Sequence, residues 1–288
     1  MFKLGIITDE ITQDLEKALM FAKEQGLDCF ELRSAWEKDP FEYTDEDFAE
    51  IKRLSDKYEI PLVSISSPFN KCSYFDEDTR KTHMDGLKRL LDKAELLGFS
   101  KIRCFDFFRD DRLSVDMIAE AFKVPIALCE RKNVTLLIES EPSANSYNSQ
   151  KTAEIVKKIN SNYVKALYEP GNNLYTDTDE VPFPDGYNYV KDVFCHVHIK
   201  DAVRRDGKTI GVAIGNGEVA YEDMFREFIK TGYSGAVVLE PHYKPGGEIS
   251  EELLRNPKGS MFSEGGFVAS EECIVAVNKI INKITKGV

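Results

Sequence analysis

No apolar run in this 288-residue chain approaches the roughly 18 to 20 residues that a membrane-crossing helix needs. No signal-peptide pattern precedes the first apolar stretch, Phe2 to Ile7. A cytoplasmic location without a membrane partner is the expectation. Positive charge is scarce as well: 38 Lys and Arg face 50 Asp and Glu, for a formal net charge of -12. Nucleic-acid affinity rests largely on Lys and Arg contacts to phosphates, so that balance weighs against a nucleic-acid partner. The six cysteines, Cys29, Cys72, Cys104, Cys129, Cys195 and Cys273, include no C-x-x-C pair and are read as reduced and buried. Histidine occurs at only four positions, and no Gly-rich phosphate loop or dinucleotide fingerprint precedes any helix.

What the chain does have is a regular alternation. Short apolar runs begin near positions 2, 28, 61, 101, 134, 164, 194 and 236. Helical spacing follows at about 14–25, 44–58, 79–97, 115–132, 149–159 and 271–284, with Thr44 and Asp47 as a cap pair and Pro125 expected to kink its helix. Eight β-then-α units with no composition break predict an α/β fold, a single-domain (β/α)8 TIM barrel over residues 1–288. Two stretches depart from the alternation, 172–189 and 243–266, and are read as long loops that either cover the mouth of the barrel or form surface insertions.

The segment Cys195-His196-Val197-His198-Ile199-Lys200-Asp201 concentrates the chemistry. With the two-residue period of a strand, Cys195, Val197 and Ile199 share one face, and His196, His198 and Lys200 share the other. In a barrel of this class the active site lies at the C-terminal strand ends, above an interior packed with apolar layers. Four consecutive strands there end in metal-ligand chemistry: Glu139, Glu169, His198 and Glu240. Converging unpaired carboxylates would each carry a desolvation cost of several kcal/mol, which a divalent cation removes. Oxygen and nitrogen donors of this kind suit Mn²⁺ or Mg²⁺, with Co²⁺ and Zn²⁺ also compatible. His196 lies one layer deeper and is read as supporting or packed. His242, Lys200, Glu31, Arg33, Ser66, Ser67, Arg103 and Arg109 are candidates for substrate contact. Arg103 and Arg109 suit a phosphate or carboxylate, or else pair with Asp106 and Asp110 as ordinary charge.

The segments Leu-Leu-Ile-Glu139, Tyr-Glu169-Pro-Gly-Asn172, His196-Val-His198-Ile-Lys-Asp201, Gly215-Asn-Gly217 and Val-Val-Leu-Glu240-Pro-His resemble the sugar phosphate isomerase/epimerase group of xylose-isomerase-like TIM barrels. The resemblance covers essentially the whole chain. It implies that Glu139, Glu169, His198 and Glu240 bind one divalent metal, that Glu139 and Glu240 also move the proton, and that Arg204 holds a substrate hydroxyl. Two positions depart from the pattern: Glu169 stands where the group usually has Asp, and Asn172 where its epimerases often have His.

The chemistry implied is proton abstraction next to a carbonyl through a metal-stabilised enediolate, in a small carbohydrate. Two bases flanking one carbon serve epimerisation, while one base serves aldose-ketose isomerisation or dehydration, so hydroxypyruvate isomerase and inosose dehydratase activities stay open. The sugar, its phosphorylation and a homodimer or homotetramer state are open too. A type IV apurinic endonuclease, with a histidine-rich trinuclear zinc site, fits four histidines and an acidic chain poorly. A non-catalytic metal- or sugar-binding barrel is the rival from another class.

Overall fold

In the computed structural model the chain is described at residues 1–247, 249–250, 252–253 and 257–286. Eight parallel strands close into one barrel: β1 (Lys3–Ile7), β2 (Cys29–Leu32), β3 (Leu62–Ser66), β4 (Lys101–Cys104), β5 (Thr135–Glu139), β6 (Val164–Tyr168), β7 (Phe194–Ile199) and β10 (Ala236–Leu239). Around the barrel the order is β1-β10-β7-β6-β5-β4-β3-β2, so the last barrel strand returns to pair with the first. The α/β (β/α)8 expectation holds. All six cysteines are free thiols, and all but Cys195 are buried. No described helix is long and apolar enough to cross a membrane.

Local signals set the helix boundaries. Asp14 caps α1 (Leu15–Glu24), and Thr44 with Asp47 forms a reciprocal capping box on α2 (Asp45–Tyr58). Asp76 caps α3 (Glu77–Leu97), which closes on Gly98 in the left-handed conformation glycine tolerates. The helix expected over 115–132 is instead two, α4 (Val115–Ala121) and α5 (Lys123–Lys132), which meet at Phe122. Pro125 lies in the first turn of α5, where its missing N–H costs nothing, so the chain breaks before it rather than kinking at it. After α6 (Ser149–Ile159), the irregular stretch predicted between β6 and β7 contains a short helix, α7 (Tyr187–Val190). The barrel closes with α8 (Tyr221–Thr231) and α9 (Gly266–Lys286), the latter beginning five residues before its predicted start.

Two findings were not foreseen. Beyond β7 the chain forms an antiparallel hairpin, β8 (Asp201–Arg205) and β9 (Lys208–Val212). Its turn, Asp206-Gly207, has positive φ at both residues, the geometry that an Asp-Gly pair between alternating strands signals. The barrel interior is also not uniformly apolar. Glu31 of β2 reaches across to His196 and His198 of β7, strands that are not neighbours, so these side chains meet inside the cylinder. A small apolar cluster of buried strand residues includes Ile7, Cys29, Ala236 and Val238. There Gly5 is required: a Cβ would stand 2.7 Å from the Cys29 Sγ.

Candidate active site

Each strand end delivers one group to the top of the barrel. Glu139 is the last residue of β5, Glu169 and Glu240 directly follow β6 and β10, and His198 is the penultimate residue of β7. One ligand atom from each lies within 4.8 Å of the others. His198 Nε2 is 3.1 Å from Glu31 Oε1, while Nδ1 is 3.6 Å from Glu169 Oε2 and 3.7 Å from Glu240 Oε2. An Nε2–H donated to Glu31 aims the Nδ1 lone pair at the carboxylates, the arrangement by which a carboxylate orients a metal-binding histidine.

Whether the set fits a cation is answered by its buried atoms. Glu139 Oε2, both Glu169 oxygens and His198 Nδ1 are buried without a hydrogen-bond partner, although buried polar atoms are nearly always satisfied. Burial, with Glu240 nearby, pushes Glu169 well above the usual carboxylate range, only partly offset by Lys200. Burial opposes charge on His198 too, yet Glu31, Glu169 and Glu240 outweigh it and hold its proton affinity well above normal. The cluster therefore demands positive charge at its centre. Lys200 meets part of that demand: its Nζ lies 2.8 Å from Glu169 Oε1, off the hydrogen-bond direction, and 3.2 Å from Glu240 Oε2.

Among the described residues two further groups have metal-ligand composition. Glu31 bonds Nε2 of His196 at 2.7 Å and Nε2 of His198 at 3.1 Å, and the buried His196 Nδ1 has no hydrogen bond. Glu10, Glu240 and His242 are filled by Arg33, which donates from Nη2 to Glu10 at 2.7 Å, from Nε to Asp9 at 3.1 Å and from Nη1 to Glu240. Phe262 covers that guanidinium at 4.8 Å and meets the His242 ring edge-on.

Above the donors opens a cavity of about 1080 Å³, with Arg103, Glu139, Asn172, Lys200, Glu240 and His242 in its walls. His242 holds a positive φ of 43°, a strained backbone of the kind that collects at functional sites. Other expected contacts lie elsewhere. Glu31 and Ser66 are fully buried and bonded to each other beneath the donors, away from the cavity. Ser67 donates to the Arg103 carbonyl. Arg109 stacks over the Tyr147 ring and does not line the cavity. Arg204 turns outward along the hairpin and donates to the carbonyls of Asn173 and Leu174, bracing the loop after β6. Asp106 and Asp110 do not pair with Arg103 or Arg109, because Ser146 and Arg112 take them. Lys71, Glu141, Tyr175, Lys244 and the hairpin residues 208–211 also line the cavity. They lie mostly in loops, where no periodicity points to them; only the Asp-Gly turn signalled the hairpin.

Residues 19–258 match the family model described as xylose isomerase-like TIM barrel. The chain belongs to that family. Solved structures similar to this xylose isomerase-like barrel agree on the fold. A xylose isomerase domain protein from Planctomyces limnophilus is 17% identical, with TM-score 0.75 and coverage of 99% of each chain. A xylose isomerase-like TIM barrel protein from Mycobacterium smegmatis in complex with magnesium is 16% identical, with TM-score 0.68 over 96% of this chain and 97% of that one. A D-psicose 3-epimerase from Clostridium cellulolyticum H10, solved with D-tagatose, is 17% identical, with TM-score 0.69 over 96% and 99%.

Proposed function

We propose that this chain is a divalent-metal-dependent carbohydrate isomerase or epimerase that removes a proton from a carbon beside a carbonyl. Four buried donor atoms left unbonded around one point, at the floor of an open cavity, carry this reading. When bound by Glu139, Glu169, His198 and Glu240, a divalent cation would supply Lewis-acid stabilisation of the charge developing on the carbonyl and adjacent hydroxyl oxygens, worth several kcal/mol. Mn²⁺ is the first ion to test, with Mg²⁺, Co²⁺ and Zn²⁺ beside it.

The protein's own groups hold and move the proton. Glu139, at the cavity wall, is the base through whichever of its carboxylate oxygens the cation leaves free. Lys200 and His242 face the same space and hold substrate hydroxyls. Glu240, on the other flank, would return a proton to the opposite face in an epimerisation. One observation favours a second reading, one-base chemistry such as isomerisation or dehydration. Both Glu240 oxygens are engaged, Oε1 by Arg33 and Oε2 by Lys200.

Ketoses, ketose phosphates and inososes incubated in D₂O with each metal, read by NMR, test the reaction. Deuterium at the carbon beside the carbonyl is expected for at least one substrate. Metal-loaded protein that exchanges no proton in any of them contradicts it.

A further inference from the structure

Resting on that reading, we infer that the substrate carries an anionic group, a carboxylate or a phosphate, which is seated on Lys71 and Arg103 at the β3–β4 side of the cavity. Three observations converge. First, charge in the cavity runs against charge in the chain. The protein as a whole is at -12, yet among the described residues the cavity wall has five cations, Lys71, Arg103, Lys200, Lys208 and Lys244, against three carboxylates, Glu139, Glu141 and Glu240. An acidic protein that gathers cations around its ligand space is focusing a field on an anion. A metal ion on the floor would make that space more positive still.

Second, the two cations are held at the site rather than trailing into solvent. Arg103 is only 6% exposed. Lys71 Nζ and the Arg103 guanidinium carbon stand 5.0 and 4.8 Å from the centre of the same ring, Phe105. Cation–π contact of this kind helps hold both cations beside the same ring. Third, Arg103 has hydrogen-bonding capacity to spare. Its carboxylate partner is Glu139, at 3.3 Å, a member of the donor set that a metal would claim. Its Nη2 makes only long bonds to the Ser66 and Ser67 carbonyls, at 3.3 and 3.4 Å, and its Nε is buried with no partner. A guanidinium with a buried unbonded N–H beside an ammonium suits the planar, two-oxygen edge of a carboxylate or phosphate.

Calorimetric titration of the metal-loaded protein with D-fructose, D-fructose 6-phosphate and D-glucuronate, beside D-glucose as the neutral partner of the last, tests the assignment. At least one anionic ligand is expected to bind about tenfold or more tightly than its neutral partner. The phosphate and uronate arms show which anion is preferred. That ratio is expected to collapse in Lys71→Gln and in Arg103→Gln, and to return in part in Arg103→Lys. Thermal melts check that each variant is folded, and Lys71, in a loop, serves if Arg103→Gln does not fold. Equal affinities, no binding by any of the four, or a preference that survives in Lys71→Gln overturns the assignment. Deuterium exchange on the same ligands separates this from the reaction itself. Exchange on neutral sugars without anion preference sinks the anion site alone; anion preference without exchange sinks the isomerase chemistry alone.

Discussion

The two flanks of the barrel mouth treat buried charge in opposite ways. On the β1–β2 flank, every oxygen of the buried carboxylates Asp9, Glu10 and Glu31 accepts a hydrogen bond except Asp9 Oδ1, which has an ion pair to Arg33 at 3.1 Å. Arg33 serves Asp9 and Glu10, and Ser66 with the two histidines serves Glu31. On the β5–β6 flank, Glu139 and Glu169 are just as buried but have oxygens with no hydrogen bond. Glu240 joins the two, with Oε1 on Arg33 and Oε2 toward Lys200 and His198. Because an unmatched buried charge is costly, the matched flank reads as scaffold and the unmatched one as the place for a cation and substrate.

The largest effect should come from the unmatched flank. Glu139→Gln is expected to lower the proton-exchange rate by about 10² to 10⁴-fold, the usual worth of a positioned base, with little change in melting temperature; exchange within tenfold of wild type would remove Glu139 as base. On the matched flank the order reverses. Arg33→Met removes the cation shared by Asp9, Glu10 and Glu240 Oε1 and is expected to cost about 3–5 kcal/mol of stability in denaturant unfolding. A loss below about 1 kcal/mol would mean that flank is not scaffold.

Glu31→Gln probes the join between flanks, since it touches the donor set only through His198. Metal affinity is expected to fall about 10- to 100-fold, read by calorimetry; an unchanged affinity would show that His198 needs no such support. A further effect lies outside both flanks. Burial pushes Asp106 up to about 7, so between pH 4 and 7 the folded state keeps a proton that the unfolded chain has lost. Its contribution to stability therefore falls as pH rises through that window, by at most about 1.4 kcal/mol per pH unit. Asp106→Asn should flatten this part of the stability profile from pH 4 to 8, and an unaltered slope would contradict the buried proton.

Most of the scaffold was legible in the sequence because it is written in local patterns. Strand ends at Glu139 and Glu240, the Thr44–Asp47 box and the parity of His196, His198 and Lys200 all follow from two-residue or helical periodicity. Roles that depend on what lies across the cylinder were not. Glu31 and Ser66 look like substrate contacts at their strand ends until β2 is seen to face β7. Arg204 looks like a site arginine until the Asp206-Gly207 hairpin turns it outward. Lys71 follows β3 in a loop where no period applies, and only the closed fold sets it beside Arg103.

The central claim is that Glu139, Glu169, His198 and Glu240 share one cation. Titrating Mn²⁺ into chelator-stripped protein by calorimetry, with Glu169→Ala in parallel, tests it most directly. One ion per chain, with binding lost or weakened at least about tenfold in Glu169→Ala, is predicted. No binding, or binding indifferent to Glu169, would contradict it.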